Sequence, residues 1–352
     1  MQRERMTPRE RWLAVLHHEV PDRVPTDYWA TPEATRKLLH HLGCATLDDA
    51  MRLLHVDVPV RVAPRYCGPA LPEDTDVYGR RYGTVQYAGG AYRECVEHPL
   101  ARFGSVEEIE AGYTWPTADL FDYSGLAEQM AGKGDYPVQG GGSEPFLLYK
   151  DLRGQEQAFM DLVLNPDMVH YCLDRLFDFC YENTRRIYEQ IPGKVMITYV
   201  AEDLGAQEGL LMSLGHIRSF LLPRMKRMMD LTHEAGAYVF HHSDGSIMDV
   251  LPDMVEAGID VLNPIQWRCK GMDRQALKDG FGGRIVFHGA MDNQQTLPFG
   301  SPEEVKAEVA DNIRMLGQGG GYILAPCHNI QAVSPPENVV AMYGAAYEVG
   351  WY

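Results

Sequence analysis

The chain has 352 residues, 45% of them hydrophobic and 23% charged, which excludes a disordered or a fibrous protein. Its 32 basic and 49 acidic residues give a formal net charge of −17. A negative field of this size repels nucleic acids and anionic membrane surfaces, so neither is an expected partner.

Seven cysteines are scattered along the chain without a C-x-x-C pair, which favours a reduced protein over a disulfide-linked one. The first ten residues lack the apolar core of a secretory signal, and no apolar run reaches the about 18 residues of a membrane span. We therefore expect a cytoplasmic location.

The first third of the chain predicts a mixture of elements. Helices are predicted at 8–18, 32–42 and 47–54, and a strand at 24–29. Glycines and aromatic residues recur over 76–98, which favours a hairpin. This hairpin is either an ordinary surface feature or a lid over a pocket.

Three segments share the pattern S/T-P-x-E, beginning at Thr7, Ser301 and Ser334. In this pattern the hydroxyl accepts a hydrogen bond from a free backbone N–H, proline occupies the first helical position, and the glutamate bonds back to the cap. Each segment therefore predicts the start of a helix.

From residue 135 onward, short apolar runs alternate regularly with helical patterns. The predicted strands are 136–139, 195–200, 237–241, 260–263, 285–288 and 322–325; the predicted helices are 165–191, 216–235, 246–257, 273–279 and 302–316. Such alternation indicates a parallel sheet. With one or two strands from the first third, the count approaches eight.

We therefore predict an α/β fold, a (β/α)8 TIM barrel with N-terminal helical and hairpin additions, as one domain over 1–352. A dinucleotide-binding sheet is disfavoured, because no G-x-G-x-x-G follows an early strand.

Polar residues follow five successive strands, at the barrel end where active sites lie. The candidate catalytic residues there are Glu202, Asp203, His242 and Asp244. The candidate substrate-binding residues are Asn263, Gln266, His288, His328 and Asn329. A single strand-end residue of this kind often only caps a helix, but five on one rim predict an active site.

The same rim suggests a metal site. His242 and Asp244 are two residues apart and point the same way if the strand continues. Cys327 follows a later strand, and Glu202 is a candidate fourth ligand. Imidazole, carboxylate and thiolate all bind zinc. The alternatives are that Cys327 is a packing residue and that Asp244 only orients His242.

Several segments give the chain a family resemblance across essentially its whole length. They are 10–25, 202–205, 241–245, 258–264, 297–305 and 319–331. Through them the chain resembles the uroporphyrinogen decarboxylase superfamily, which implies a (β/α)8 barrel. That superfamily contains cofactor-free tetrapyrrole decarboxylases and zinc-containing, cobamide-dependent methyltransferases.

The resemblance is closer to the methyltransferase branch. The decarboxylases carry an arginine-rich N-terminal segment and a Gly-His-Gly motif, whereas this chain has no paired arginines over 27–32 and Pro-Cys-His-Asn at 326–329. The methyltransferase zinc motif is His-x-Cys with a later Cys. His242 and Cys327 match it, and Asp244 replaces the middle Cys.

The resemblance thus implies a zinc-dependent methyltransferase that moves a methyl group between a small substrate and a corrinoid carried by a partner protein. The first alternative is a cofactor-free decarboxylase in which Asp203, His242 and Asp244 move protons. The second is a barrel that binds a ligand without turnover. A homo-oligomer is compatible with each of them.

Overall fold

The structure is a computed structural model that describes residues 4–87 and 90–352. The strands are β1 (Val60–Val62), β2 (Arg65–Tyr66), β3 (Arg81–Tyr87), β4 (Gly90–Glu97), β5 (Phe121–Asp122), β6 (Val138–Ser143), β7 (Ile197–Ala201), β8 (Tyr238–His242), β9 (Val261–Asn263), β10 (Val286–Met291) and β11 (Tyr322–Pro326). The main sheet is parallel, in the order β1-β6-β7-β8-β9-β10-β11.

Helices connect these strands. They are α1 (Pro8–Leu16), α2 (Pro32–Leu42), α3 (Leu47–Leu53), α4 (Val106–Gly112), α5 (Leu126–Gln129), α6 (Pro145–Arg153), α7 (Gln155–Leu164), α8 (Pro166–Gln190), α9 (Leu214–His216), α10 (Leu222–Glu234), α11 (Leu251–Ala257), α12 (Arg274–Phe281), α13 (Thr296–Phe299), α14 (Pro302–Leu316) and α15 (Pro336–Val349). A π-helical segment, Ile217–Leu221, joins α9 to α10.

The extended segment 24–27 occupies the eighth position of the barrel. The Leu324 N–H donates to the carbonyl of Pro25 (2.9 Å), and the Asp27 N–H donates to the carbonyl of Leu324 (3.0 Å). On its other side, the Asp57 N–H donates to the carbonyl of Thr26 (2.9 Å), just before β1. The segment therefore bridges the two ends of the sheet, and the predicted (β/α)8 architecture is confirmed.

Helix α1 closes the N-terminal end of the barrel. Its Trp12 and Val15 are fully buried against the barrel interior. A larger apolar core fills the layer between the sheet and the surrounding helices. Because both faces of the strands are covered, their sequences read as continuous apolar runs.

Two of the three expected capping boxes are present, at Thr7 and Ser301. The third is not: α15 begins at Pro336, and the hydroxyl of Ser334 has no hydrogen-bond partner among the described residues. A second proline takes the first helical position there, which shifts the helix start beyond the reach of the serine.

The predicted hairpin forms from β3 and β4, with Thr84 opposite Arg93, and residues 88–89 of it lie outside the described residues. None of the described helices is long and apolar enough to cross a membrane.

Candidate metal and substrate site

A histidine and two aspartates meet at the C-terminal ends of β7 and β8. His242 ends β8, directly beside Ala201 of β7. Its Nε2 lies 3.7 Å from Asp203 Oδ1 and 3.9 Å from Asp244 Oδ1. Across 4–87 and 90–352, this is the one group of three such residues whose ligand atoms all lie within 4.8 Å of one another.

Three neighbouring strands supply a hydrogen-bonded row behind His242. Its Nδ1 lies 2.5 Å from Asn263 Oδ1 in β9, and Asn263 Nδ2 lies 2.7 Å from His288 Nδ1 in β10. His288 Nε2 in turn lies 3.1 Å from Asp27 Oδ2. Parallel register places these side chains in one row across the barrel.

The row orients the two histidine rings. Burial alone would raise the pKa of Asp27, but hydrogen bonds from His288, the Tyr28 N–H and the Trp29 indole hold this pKa below its ordinary value. His288 Nε2 faces the carboxylate of Asp27, and its Nδ1 faces the amide nitrogen of Asn263. Asn263 Oδ1 faces His242 Nδ1, so the Nε2 side of the His242 ring faces Asp203 and Asp244, where a metal ligand is needed.

Asp244 is held by the turn that follows β8. Gln266 Nε2 donates to Asp244 Oδ1 (2.9 Å), and the Gly245 N–H donates to Gln266 Oε1 (2.7 Å). Gly245 has φ +86°, and a Cβ there would lie 2.5 Å from the backbone of Gly205, so only glycine fits. Burial raises the pKa of Asp244.

His328 lies at the edge of the group, with its Nε2 4.0 Å from Asp244 Oδ2. The structure therefore brings together the predicted residues Asp203, His242, Asp244 and His328, with Asn263, Gln266 and His288 supporting them.

Two predicted metal ligands lie outside this group. Glu202 is buried, and its Oε1 accepts a hydrogen bond from the Phe146 N–H of α6 (2.7 Å). Cys327 is buried, and its thiol donates to the carbonyl of Ile265 (3.2 Å). Burial raises the pKa of both side chains. The group that the structure brings together therefore contains Asp203, predicted from the sequence as a catalytic residue, and neither Glu202 nor Cys327.

Glu144 is a residue of this rim that the sequence analysis missed. Burial, together with the charge of Asp203, raises its pKa to about 7. The strand before it was predicted at 136–139, but β6 runs to Ser143 through three glycines. Gly142 has φ +136°, and a Cβ there would lie 2.1 Å from the carbonyl oxygen of Tyr199, so the strand requires glycine at this position. In the sequence a run of glycines is typical of a loop, which is why the strand was predicted to end too early.

Two aromatic rings flank His242. The ring centroid of Trp29 lies 5.9 Å from that of His242, and the ring centroid of Tyr199 lies 5.6 Å from it. Both rings also line a cavity of about 370 Å³, together with Arg61 and the predicted substrate-binding residue Asn329. Trp29, Tyr199 and Arg61 were not singled out from the sequence, because a lone aromatic or arginine residue in an extended segment carries no site signal by itself.

The family model for uroporphyrinogen decarboxylase (URO-D) matches residues 122–349, more than half of the chain. The chain belongs to the uroporphyrinogen decarboxylase family. The resemblance seen in the sequence is thereby confirmed.

Relatives of this family member include the uroporphyrinogen decarboxylases of Azotobacter vinelandii, 26% identical over 236 residues, and Pseudomonas putida strain GB-1, 25% identical over 235 residues. Each match covers 65% of this chain and 59% of the relative. The chain thus spans about three fifths of the length of these decarboxylases.

Among solved structures, a methyltransferase from Methanosarcina mazei superimposes with a TM-score of 0.71 at 20% identity. The superposition covers 97% of this chain and 99% of the methyltransferase. At this identity the likeness shows a shared fold over almost the whole of both chains.

Proposed function

We propose that this family member is a zinc-dependent methyltransferase that moves a methyl group between a small substrate and a corrinoid carried by a partner protein. The observation that carries the proposal is the group formed by Asp203, His242 and Asp244, with His242 Nε2 facing both carboxylates.

The donor set fits zinc. Ligand atoms that bind one tetrahedral ion at about 2.0–2.2 Å lie about 3.3–3.6 Å apart. The distances of 3.7 and 3.9 Å from His242 Nε2 to the two carboxylates need only a small contraction. One imidazole and two carboxylates leave a fourth position for substrate, which distinguishes a catalytic from a structural zinc site.

In the proposed reaction, the methyl carbon leaves a substrate oxygen for the nucleophilic cobalt of the partner's corrinoid. The electron pair of the broken carbon–oxygen bond stays on oxygen, and that oxygen takes up a proton. When bound, zinc would polarise the substrate oxygen and make it a better leaving group.

The chain's own residues bind, orient and supply the proton. Asp27 orients His242 through His288 and Asn263, so that Nε2 faces the metal site. Glu144, whose carboxyl group interacts with those of Asp203 and Asp244, would donate the proton to the leaving oxygen. Replacing a thiolate of the methyltransferase motif by Asp244 favours an oxygen over a sulfur substrate, because carboxylate is the harder ligand.

The test is a methyl-transfer assay with cob(I)alamin in place of the partner's corrinoid. Zinc-loaded protein is incubated with a panel of methoxylated and N-methylated small molecules, and methylcobalamin is followed by its absorbance. We expect methylcobalamin from the wild type and none from Asp203→Asn. Stoichiometric zinc without methylcobalamin from any donor would contradict the proposal, and conversion of uroporphyrinogen to coproporphyrinogen would favour the decarboxylase alternative.

A further inference from the structure

Trp29 contacts both ends of the hydrogen-bonded row behind His242. At the far end, its indole Nε1–H donates to Asp27 Oδ2 (2.8 Å), the carboxylate oxygen that His288 Nε2 faces at 3.1 Å. At the near end, its ring is stacked on the imidazole of His242, with ring centroids 5.9 Å apart and an angle of 27° between the planes. Because Asn263 joins the two histidines, these five side chains form a closed ring.

The backbone that carries Asp27 and Trp29 is fixed by neighbouring elements. The Asp27 N–H donates to the carbonyl of Leu324 (3.0 Å), and the Asp27 carbonyl accepts from the hydroxyl of Tyr343 (2.8 Å). The carbonyl of Trp29 accepts from the Ile330 N–H (2.8 Å). With the backbone held in this way, the contacts within the closed ring decide how the two side chains are oriented.

The indole is one of three donors around the carboxylate of Asp27. This residue is only 3% exposed, so its carboxylate depends on donors within the protein. The Tyr28 N–H donates to Oδ1 (2.8 Å), and the Trp29 indole and His288 Nε2 lie at Oδ2. A buried charged acceptor that loses a donor is destabilised and turns toward the donors that remain. Loss of the indole N–H would therefore reorient Asp27 and, through the rest of the closed ring, His242.

We propose that Trp29 is a positioning residue of the metal site, which holds the imidazole of His242 in the plane from which Nε2 reaches an ion between Asp203 and Asp244. Its hydrogen bond to Asp27 fixes one end of the row, and its stacked ring restrains the imidazole at the other end. The inference rests on the proposed function, since it concerns the same metal site, and it adds the residue that sets the metal affinity.

The alternative is that Trp29 only fills space. Its ring centroid also lies 6.0 Å from that of Phe240 and 6.5 Å from that of Tyr199. A packing residue contributes to stability through the area that it buries, so its replacement would destabilise the fold without changing how tightly a metal is held. Metal affinity and stability, measured on the same variants, therefore distinguish the two roles.

The test compares two variants of this residue. Trp29→Phe keeps an aromatic ring beside His242 and removes the indole N–H, whereas Trp29→Leu removes both. The matched control is Trp267→Phe, because the indole of Trp267 donates to the carbonyl of Ala290 (3.0 Å), outside the closed ring. Zinc affinity is measured by competition with a chromophoric chelator, and the visible absorbance of cobalt-loaded protein reports the coordination geometry. Circular dichroism and thermal melting of the metal-free proteins measure folding and stability.

We expect Trp29→Phe to weaken zinc binding about tenfold and Trp29→Leu to weaken it by up to about a hundredfold, the range found when residues that hold a metal-bound histidine are replaced. The cobalt absorbance should change in both variants, and Trp267→Phe should bind both ions as the wild type does. Wild-type affinity and an unchanged cobalt spectrum in both Trp29 variants would overturn the inference, as would an equal loss of affinity in Trp267→Phe.

A measurement without metal separates this inference from the proposed function. In protein labelled with ¹³C at histidine Cε1, the nuclear magnetic resonance signal of His242, assigned by its loss in His242→Gln, should be single in the wild type and in Trp267→Phe. In Trp29→Phe it should split or broaden, because the imidazole then takes more than one orientation.

The combined outcomes distinguish the two proposals. If Trp29→Phe changes the His242 signal and the metal affinity but no methylcobalamin forms in the methyl-transfer assay, the positioning role stands and the methyltransferase proposal fails. If methylcobalamin forms while the signal and the affinity stay unchanged, the inference is wrong and the methyltransferase proposal stands. A wild type that binds neither zinc nor cobalt overturns both.

Discussion

Each end of the barrel contains a cluster of charged residues, but only at the N-terminal end do the positive and negative charges balance. At the N-terminal end, Arg11 and Arg23 bond Asp22 and Asp57 in a network in which each of the four side chains is at most 5% exposed. At the C-terminal end, Asp203, Asp244 and Glu144 gather around His242, and no arginine or lysine of the described residues lies within ion-pair distance of them.

This difference suggests that the N-terminal charges contribute to stability and that the C-terminal charges contribute to the proposed function. A balanced network satisfies every charge within the protein and joins α1 to the two segments where the barrel closes. An unbalanced group of carboxylates costs stability unless a cation binds to it, since like charges that share a site repel each other. The N-terminal network therefore stabilises the barrel, and the unpaired carboxylates of the C-terminal rim are what the proposed metal site requires.

The largest expected effect lies in the balanced network. Asp57 accepts hydrogen bonds from Arg11, Arg23 and the Thr26 N–H. Asp57→Asn leaves two buried arginines with too little negative charge, and we expect a loss of about 3–5 kcal/mol in the free energy of unfolding by urea. The control is Asp122→Asn, which removes the exposed pair with Arg65 and should cost less than about 1 kcal/mol. Equal losses would show that the network is not structural.

The next effect is the response to zinc. If free zinc reaches one hundred times the dissociation constant, binding stabilises the folded wild type by about 2.7 kcal/mol. Asp244→Asn removes one ligand, so its melting temperature should not respond to zinc. Asp230→Asn, at an exposed aspartate paired with Lys226, should respond as the wild type does. A full zinc response in Asp244→Asn would exclude Asp244 as a ligand.

Glu144 gives the rim a pH dependence in the metal-free protein. Its pKa is raised to about 7 in the folded state, so the wild type loses stability as the pH rises from about 4.5 through 7. Glu144→Gln cannot ionise, so its advantage over the wild type should grow from near zero at pH 4 to about 3 kcal/mol at pH 8. Urea unfolding in the presence of a chelator measures this difference, and a pH-independent difference would show that the pKa of Glu144 is not raised in the folded protein.

The smallest effect concerns Cys327, which the sequence predicted as a metal ligand and which the structure places outside the group around His242. Cys327→Ser keeps a donor for the carbonyl of Ile265, so we expect a stability loss of about 1 kcal/mol and an unchanged zinc content by elemental analysis. Loss of zinc in this variant would restore the ligand set expected from the sequence, with Cys327 beside His242.

The fold was predictable because each strand and helix after residue 135 repeats the same apolar pattern. His242 and Asp244 were predictable as partners because two-residue spacing survives the end of a strand. The role of Asp27 was not, since it lies 261 positions from His288 in sequence and meets it only when the barrel closes. Glu144 was hidden by the glycines of β6, and the direction of the Cys327 thiol depends on a side-chain rotation that no spacing encodes.

The most direct test of the account is to locate the metal. Crystals grown with zinc and measured at the zinc absorption edge should show one anomalous peak per chain, about 2.0–2.2 Å from His242 Nε2 and from a carboxylate oxygen of both Asp203 and Asp244. A peak bound to the Cys327 thiol without Asp203, or no peak at this rim, would contradict it.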